Sequence, residues 1–512
     1  MIGSIALSAS GGLFLALAFP PYNLSILAWI AFVPLFAAIH RDERPAIAAL
    51  NGACFGAVFF AVDVSWIYRT LVVHGHFHPV LAFFTFVGLI AVLSLFTALF
   101  GFLLSLAGKK IHRFTLCAPF LWIGIEYLRA ISLTGFPWDL AGYSQANWTA
   151  LMQIVDITGV YGVSFLIVLL NATVWEVVHS FAQRKPVPFR FAASSLVLLG
   201  LALGYGYFVL AAIPDRRHTE QGFGIGILQG NIPQEIKWDE RAREYTFATY
   251  ERLGAEAVAK GAQLLVWPET SVPVVFGEKN EDWKRPGRIS QTLGTPMLIG
   301  APSAEMIANE VHFYNSAFLV HDGILQERYD KMHLVPFGEY MPLSWLLPLG
   351  PGIAAREADY TPGTVMRVMQ PPNGPPFSVL ICYEAIFPEL SRIAVANGAR
   401  LLINITNDGW FGETAAPYQH LAMAKIRSIE TRTWVVRCAN TGISAVFDPA
   451  GRTITEIPLG KEGTAVVFLQ PTNNTGSFYT KFGDVFAMGC LGFIGILGFA
   501  VSDLSKFFIS VH

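Results

Sequence analysis

The sequence is short of charged residues. Of its 512 residues, only 14% are Asp, Glu, Lys or Arg, whereas 53% are hydrophobic; a soluble domain usually carries about 25% charged residues. The formal net charge is −2 and no basic run of the kind that follows phosphates occurs, so we expect no nucleic-acid partner. The high apolar content also excludes a disordered chain.

Cysteine is scarce and scattered. Five cysteines stand singly without a Cys-x-x-Cys pair, which argues against a thiolate zinc site or a redox dithiol. Only Cys382 and Cys438 lie in the polar part of the chain, where a disulfide between them is allowed but not required. His74, His76 and His78 alternate without an acidic or Cys neighbour, so we expect no metal. We also expect no cofactor, because the sequence has no Gly-rich phosphate loop.

The charge deficit is concentrated in residues 1–214. Apolar stretches there and near the end of the chain predict about eight transmembrane helices. Residues 1–214 hold 17 charged side chains and residues 215–480 hold 51. A bilayer core needs about 20 apolar residues per helix. The candidates are roughly 4–20, 24–40, 46–68, 80–107, 115–133, 158–180, 191–213 and 484–503. We therefore expect helices 1–7 within 1–214, and helix 8 with a cytoplasmic tail within 483–512.

Positive charge in alternate loops predicts the orientation. One set of loops carries Arg41, Arg44, Lys109, Lys110, Arg113, Arg184, Lys185 and Arg190. The opposite loops carry little besides Arg69. The positive-inside rule makes the first face cytoplasmic. Both termini are then expected to be cytoplasmic, and residues 220–472 are expected to lie on the outer side of the membrane, which in bacteria is the periplasm.

Residues 220–472 have the pattern of a layered α/β domain. Apolar runs bounded by turn residues predict strands at 224–229, 263–267, 296–300, 316–320, 377–382, 400–405, 444–447 and 464–469. A helical pattern covers 419–433. Strands that alternate with helices and hairpins favour sheets covered by helices.

Reactive side chains follow three of the predicted strand or hairpin segments. Glu269 follows Trp-Pro after one strand, Cys382 ends another, and Lys331 follows a hairpin. Strand ends in α/β sheets converge on one crevice. A carboxylate that takes a thiol proton, a thiolate nucleophile and an ammonium for the oxyanion are sufficient for acyl transfer. Each signal is weak alone, since a single buried Cys usually packs as a small hydrophobe.

These residues resemble a known family. Trp-Pro-Glu at Glu269, Lys-x-His-Leu-Val-Pro-Phe-Gly-Glu from Lys331 to Glu339, and Cys-Tyr-Glu at Cys382 resemble the Glu–Lys–Cys arrangement of the nitrilase superfamily. The strings at 229–234, 237–239, 331–339, 407–412 and 134–138 are more specifically similar to those of apolipoprotein N-acyltransferases. The resemblance runs nearly end to end, including the membrane helices.

The resemblance implies a fold, a reaction and roles. It implies a nitrilase-like α/β sandwich in which Glu269 is the general base, Lys331 stabilises the oxyanion and Cys382 is the nucleophile. The residues implied to support activity are Glu339, Tyr383, Glu384 and Trp238. In the implied ping-pong reaction, the thiol takes an acyl chain from a phospholipid and passes it to the α-amine of a diacylglyceryl-cysteine apolipoprotein. We expect a monomer in the bilayer.

Other functions fit the same residues. A membrane-tethered nitrilase-type amidase or hydrolase would use the same site with water as acceptor. A transporter would not need Cys382, but the repeat symmetry common in transporters is not visible. Water must be kept from a thioester, and Trp410, Phe411 and 345–349 are candidates to wall the site. Ordinary core packing explains these apolar residues equally well.

Ionisable residues inside the predicted spans form a second group of candidates. Asp63, Glu126 and Arg129 lie in spans, where charged groups are costly and often functional. Glu126 and Arg129 are three residues apart on one helical face, so a simple pair explains them. The functional alternative is a contact with a phospholipid head group or with the catalytic domain.

His333 and His420 offer an alternative base, in a Cys–His dyad, and the resemblance favours Glu269. We expect Glu269→Gln to lower acyl transfer by about 10²- to 10⁴-fold, because an amide cannot accept the thiol proton. His333→Ala should keep its activity. The measurement is the formation of N-acyl peptide from labelled phospholipid. Activity that survives in Glu269→Gln but not in His333→Ala would reverse the assignment.

Overall fold

The chain forms two compact units. The computed structural model describes residues 2–42, 44–108, 114–215, 221–277, 281–340, 359–471 and 476–496. The first unit comprises Met1–Tyr68, Pro79–Ala212 and Phe482–His512, and the second comprises Arg69–His78 and Ile213–Lys481. A short segment from the N-terminal part of the sequence therefore groups with the polar part.

The first unit is helical. A helix satisfies its backbone N–H and C=O groups within one segment, which is what an apolar chain in a bilayer requires. Its helices are α1 (Ile2–Leu17), α2 (Val33–Arg41), α3 (Pro45–Asp63), α4 (Trp66–Val73), α5 (Pro79–Gly108), α6 (Ala118–Ile131), α7 (Thr149–Met152), α8 (Val155–Thr158), α9 (Tyr161–Ala182) and α10 (Phe189–Ala212). The last residues of α4 are counted with the second unit.

Among the described residues, four helices are long and apolar enough to cross a membrane: α3, α5, α9 and α10. The shorter apolar helices are Ile2–Leu17, Ser25–Arg41, Thr149–Thr158 and Val485–Ile496. The predicted count of about eight spans is therefore not confirmed. Hydropathy does not register breaks, and the predicted span 46–68 divides into α3 and α4. The predicted span 484–503 extends past residue 496, outside the described residues.

The second unit contains two β-sheets. Its elements are β1 (Phe223–Gln229), α11 (Glu240–Ala259), β2 (Leu264–Val266), α12 (Arg285–Leu293), β3 (Met297–Ile307), β4 (Glu310–His321), β5 (Ile324–Asp330), β6 (Phe377–Ile381), α13 (Pro388–Ala396), β7 (Leu401–Thr406), α14 (Ala416–Thr431), β8 (Trp434–Ala439), β9 (Ser444–Phe447), β10 (Thr453–Ile457), β11 (Gly463–Leu469) and α15 (Phe478–Phe482). The strand orders are β11-β1-β2-β3-β4-β5 and β10-β9-β8-β7-β6.

The sheets pack face to face. One hydrophobic core joins Ile227 and Val266 of the first sheet to Val379 and Ile403 of the second. A second core packs α11 on the outer face of the first sheet, through residues such as Tyr250. The expected α/β sandwich is present, and every predicted strand is found. β5, β8 and β10 were not predicted, because charged or polar residues interrupt their apolar runs.

Parallel strands bring their carboxyl ends to common edges. β1, β2 and β3 are parallel neighbours in the first sheet, and β6, β7 and β8 are parallel neighbours in the second. The residues that follow β2, β6 and β7 therefore leave the sheets at edges of the sandwich, where side chains from both sheets can meet.

Glycines allow three helices of the first unit, α1, α3 and α5, to pack closely. A Cβ added at Gly12 of α1 would lie 2.2 Å from the carbonyl oxygen of Phe55 in α3. A Cβ at Gly52 of α3 would lie 2.1 Å from the carbonyl oxygen of Thr97 in α5. Backbone carbonyls cannot give way as a flexible side chain does, so these positions set the spacing of the helices.

We expect Gly101→Ala in α5 to destabilise the protein by about 1–3 kcal/mol. Its methyl group would lie 2.3 Å from the carbonyl oxygen of Ala48. Gly88→Ala in the same helix is the matched control, because nothing lies within 4 Å of a Cβ there. Thermal unfolding in detergent should show a lower midpoint only for Gly101→Ala. Equal midpoints for the two variants would contradict the close packing.

Candidate active site

The structure brings Glu269, Lys331 and Cys382 into one buried cluster. Glu269 lies just beyond β2, Lys331 directly after β5 and Cys382 directly after β6. Their exposed fractions are 5%, 1% and 7%. Lys331 Nζ lies 3.5 Å from Glu269 Oε1, and the charges of both groups act on the Cys382 thiol. The geometry matches the expected convergence, and the catalytic roles stay predictions.

Two asparagines hold the carboxylate of Glu269. Its Oε1 accepts a hydrogen bond from Asn315 Nδ2 at 2.8 Å, and its Oε2 accepts one from the Asn407 backbone N–H at 2.8 Å. Asn315 lies within β4, and Asn407 directly follows β7. The two donors come from different sheets, so they fix the position of the carboxylate between them. Sequence reasoning missed Asn315, because a single polar residue in an apolar strand carries no motif.

Lys331 is paired with a second carboxylate. Its Nζ donates to Glu339 Oε1 at 2.9 Å, and Asn315 Nδ2 donates to the same oxygen at 2.8 Å. The other oxygen, Glu339 Oε2, accepts the Val335 N–H at 2.8 Å. Burial opposes the ammonium charge, but the carboxylates of Glu339 and Glu269 hold the pKa of Lys331 above its usual value. Lys331 is therefore a permanent cation beside the thiol, suited to stabilise an oxyanion.

Cys382 is buried as a neutral thiol. Burial and the carboxylate of Glu269 raise the pKa of its thiol well above the usual range, and Lys331 acts in the opposite direction. Thr406 is a hydrogen-bond partner of the thiol. A neutral thiol is a weak nucleophile, so the arrangement needs a base to remove the proton. Glu269 is the carboxylate whose charge the thiol senses most strongly.

Glu384 links the segment that carries Lys331 to the turn that carries Cys382. Its Oε1 accepts hydrogen bonds from the Tyr329 hydroxyl at 2.8 Å, the Met332 N–H at 2.7 Å and the His333 N–H at 3.2 Å, and its Oε2 accepts one from the Ile381 N–H at 2.7 Å. Burial raises the pKa of Glu384 to about 7, against the effect of these donors. Because the donors come from both segments, the carboxylate fixes their spacing.

Tyr383 and Trp238 occupy different surroundings. The Tyr383 ring is buried and lies edge-on to Phe387, with 5.2 Å between ring centroids. Burial raises the pKa of Tyr383, so its hydroxyl stays protonated. Trp238, in contrast, is 50% exposed. His333 packs its ring against Phe387 at 3.6 Å, which places it in this aromatic group.

Lys237 is a site residue that sequence reasoning missed. It is 2% exposed, and its Nζ donates to the Glu269 carbonyl oxygen at 3.3 Å and to Thr270 Oγ1 at 2.6 Å. Burial lowers the pKa of Lys237 to about 8, and the charges of Glu269 and Cys382 oppose that shift. The family string selected its neighbour Trp238, but nothing in the sequence distinguished Lys237 from an ordinary surface lysine.

The residues expected to wall the site are only partly described. Trp410 is 42% exposed, and its carbonyl oxygen accepts a hydrogen bond from Thr70 Oγ1 at 3.2 Å. His74 lies edge-on to the Trp410 ring at 5.7 Å. Phe411 is half-buried. The stretch 345–349 lies outside the described residues.

Cys438 is a free thiol, as are the other four cysteines. No Cys382–Cys438 disulfide forms. The Cys438 sulfur lies 3.1 Å from the Val266 carbonyl oxygen and 3.4 Å from that of Leu228. Burial raises the pKa of Cys438 to about 12. It therefore behaves as a packed core residue.

Glu126 and Arg129 in the first unit bond the backbone of the loop that follows α6. Glu126 Oε1 accepts the Ala141 N–H at 2.7 Å. Arg129 Nη1 donates to the carbonyl oxygens of Trp138 at 2.8 Å and Phe136 at 3.2 Å. Satisfied backbone partners are sufficient to explain both side chains as supports of this loop.

Comparisons with known proteins agree with the observed architecture. Residues 11–173 match the apolipoprotein N-acyltransferase N-terminal domain, and residues 224–473 match the carbon-nitrogen hydrolase family. The apolipoprotein N-acyltransferase of Geobacter metallireducens is 39% identical over 94% of this chain and 92% of its own. That of Methylococcus capsulatus is 32% identical over 96% and 95%. A solved amidase from Nesterenkonia sp. is 22% identical, covers 52% of this chain and 95% of its own, and has a TM-score of 0.39.

The chain belongs to the apolipoprotein N-acyltransferase family. The expected resemblance is thereby confirmed. The match of residues 224–473 also confirms the expected nitrilase-like domain, because the carbon-nitrogen hydrolase family is the nitrilase superfamily.

We expect Lys331→Met to destabilise the protein. Without the ammonium, Glu269 and Glu339 face each other as buried carboxylates, which costs about 3–5 kcal/mol.

The stability deficit of Lys331→Met is measured as the lowering of the midpoint of thermal unfolding in detergent. The control is the double variant with Glu339→Gln, which removes the repulsion and should recover stability at neutral pH. A deficit that the second substitution does not reduce would show that carboxylate repulsion is not its cause.

Proposed function

We propose that this member of the apolipoprotein N-acyltransferase family transfers an acyl chain from a phospholipid to the α-amine of a diacylglyceryl-cysteine apolipoprotein, through a thioester on Cys382. The protein is an N-acyltransferase of lipoprotein maturation. The observation that carries the mechanism is the buried cluster in which a carboxylate and an ammonium both act on one thiol.

In the first half-reaction, Glu269 removes the thiol proton and the sulfur of Cys382 attacks the ester carbonyl of the phospholipid. The carbonyl oxygen becomes an oxyanion, which Lys331 stabilises. When the tetrahedral intermediate collapses, the bond from carbon to the glycerol oxygen breaks. The proton held by Glu269 goes to that oxygen, so lysophospholipid leaves and an acyl-cysteine thioester remains.

In the second half-reaction, the acceptor amine attacks the thioester carbonyl. Glu269, again ionised, takes the proton from the nitrogen, and Lys331 again stabilises the oxyanion. The carbon–sulfur bond breaks and the proton returns to Cys382. Because an amide is more stable than a thioester, this step runs downhill.

Most of the supporting residues hold the site together, and one of them lies at the surface. Glu339 holds the Lys331 ammonium in place, and Glu384 holds the segment that follows β5 against the turn that follows β6. Tyr383 packs within the aromatic group next to this turn. Trp238 is half exposed and apolar, so we assign it to contact with an acyl chain rather than to chemistry.

The protein is a bacterial membrane protein, and we propose the finer topology from the loop charges. In this proposal residues 1–214 form transmembrane helices 1–7, residues 220–472 are the periplasmic catalytic domain, and residues 483–512 form helix 8 and a cytoplasmic tail. Both termini are then in the cytoplasm, the membrane is the inner membrane, and the enzyme acts as a monomer. Both substrates are anchored in lipid, which supports a catalytic domain held at a membrane surface.

A hydrolase with the same site residues differs only in its acceptor. The relatives reported above are named as N-acyltransferases, which favours an amine over water. Products distinguish the two functions. An N-acyl peptide identifies the transferase, and free fatty acid without peptide acylation identifies the hydrolase.

We expect exposure to phospholipid alone to add one acyl mass to the intact protein, because a thioester without an acceptor accumulates. Cys382→Ala should abolish the gain. Cys438→Ala is the matched control, since Cys438 is also a buried free thiol, and this variant should keep the gain. Addition of a diacylglyceryl peptide should then remove the mass and release N-acyl peptide. A mass gain that persists in Cys382→Ala would rule out the proposed intermediate.

A further inference from the structure

A group of buried polar side chains lies behind the nucleophile, on the side of its backbone. We propose that His420, held by Arg437 and Asp408, is a positioning residue that orients Cys382 by donating a hydrogen bond to its carbonyl oxygen. The inference rests on the proposed function, because it takes Cys382 as the nucleophile. None of the three residues is used in the two half-reactions.

The backbone of Cys382 needs such support. Its φ is +50°, a conformation that residues other than glycine rarely adopt. The residue directly follows β6 and begins the short helical turn Cys382–Ile386. A strained backbone costs about 1–3 kcal/mol and persists only where its surroundings enforce it. Since only one torsion separates the backbone from the sulfur, the direction of the thiol depends on this conformation.

Two side chains from neighbouring elements donate to the Cys382 carbonyl oxygen. His420 Nε2, from α14, lies 3.0 Å away, and Asn404 Nδ2, from β7, lies 3.4 Å away. A carbonyl oxygen only accepts, so Nε2 of His420 must carry a proton. The shorter contact makes the imidazole the principal donor.

Arg437 keeps the His420 ring in this tautomer. Burial and the charge of Arg437 lower the pKa of His420, so the ring is neutral and its single proton is on Nε2. The other nitrogen, Nδ1, accepts from Arg437 Nη2 at 3.2 Å. Asp408 Oδ1 also lies 3.2 Å from Nδ1. Asp408 balances the guanidinium charge, because its Oδ2 accepts from Nη2 at 2.6 Å.

The same guanidinium orients both donors. Arg437 Nη1 donates to Asn404 Oδ1, and its Nε donates to the Ile443 carbonyl oxygen at 3.1 Å. Burial works against the charge on Asp408, but the adjacent guanidinium of Arg437 holds its pKa at about 2. The ion pair therefore stays charged across the physiological pH range.

Stability alone is a poor explanation for this network. Arg437 and His420 are 0% exposed and Asp408 is 1% exposed. Replacing a buried ion pair by apolar side chains is often neutral or stabilising, so such groups need another reason to be present. Their hydrogen bonds end at the carbonyl oxygen of Cys382. The direction of the Cys382 side chain decides whether its sulfur can react as proposed.

The test compares variants at position 420 that keep or remove the donor. His420→Gln carries an amide N–H able to replace Nε2–H, whereas His420→Phe keeps a planar ring of similar size without a donor. We expect His420→Phe to slow single-turnover acylation of Cys382 by about 10²-fold, as for a 1 Å misplacement of a reacting group. The KM for phospholipid should not change. His420→Gln should stay within about tenfold of the wild type.

Ser428→Ala is the matched control on α14. It removes a hydrogen bond of a buried side chain, from Ser428 Oγ to the Lys425 carbonyl oxygen, without contact to Cys382. Its acylation rate should equal that of the wild type. Should His420→Phe fail to fold, the smaller His420→Leu removes the same donor.

The outcomes separate the two proposals. A wild-type protein that forms no acyl-enzyme overturns the proposed function. A wild type that forms it, together with a folded donor-free variant that acylates at the wild-type rate, overturns only the positioning role. That role is also overturned if both donor-free variants fail to fold while His420→Gln folds, because the histidine would then serve stability. Slow acylation with unchanged KM and rescue by Gln supports it.

Discussion

The cluster depends on the contacts that the buried ammonium of Lys331 makes with two carboxylates. The ammonium lies 2.9 Å from Glu339 and 3.5 Å from Glu269, and Asn315 bonds both carboxylates. Isolated charges in such a place would cost too much desolvation energy to persist. Together they form a group in which each charge is compensated. A base and a cation can therefore lie beside a thiol in a buried site.

Hydrogen bonds to the backbone hold this cluster in place. Glu384 accepts N–H groups from the segments on both sides of the site, and His420 donates to the Cys382 carbonyl. The three reactive residues come from strands far apart in the chain, so their spacing depends on such cross-links. A displacement of about 1 Å is enough to cost a large part of the rate, which gives these buried polar groups a purpose beyond stability.

Features of the molecule that depend on short stretches of sequence could be predicted. Alternation of apolar runs and turns located the strands of the sandwich, and the family strings selected Glu269, Lys331 and Cys382. Lys237, Asn315, Asn407 and Arg437 were not predictable, since each is one polar residue whose partner lies far away in sequence. The predicted count of spans is not confirmed, because hydropathy does not register a helix end such as that of α3 at Asp63.

The sequence by itself determined the two-part character of the chain, the α/β fold of its polar part and the choice of Glu269, Lys331 and Cys382 as candidate reactive residues. Composition, periodicity and motifs are properties of short stretches, and they can be identified without knowledge of contacts. Only the tertiary structure decided which carboxylate compensates Lys331, which donors orient Glu269, and how the carbonyl of Cys382 is held. Those contacts join β2, β4, β7 and α14, and their energies depend on distance and burial, which a linear sequence does not contain.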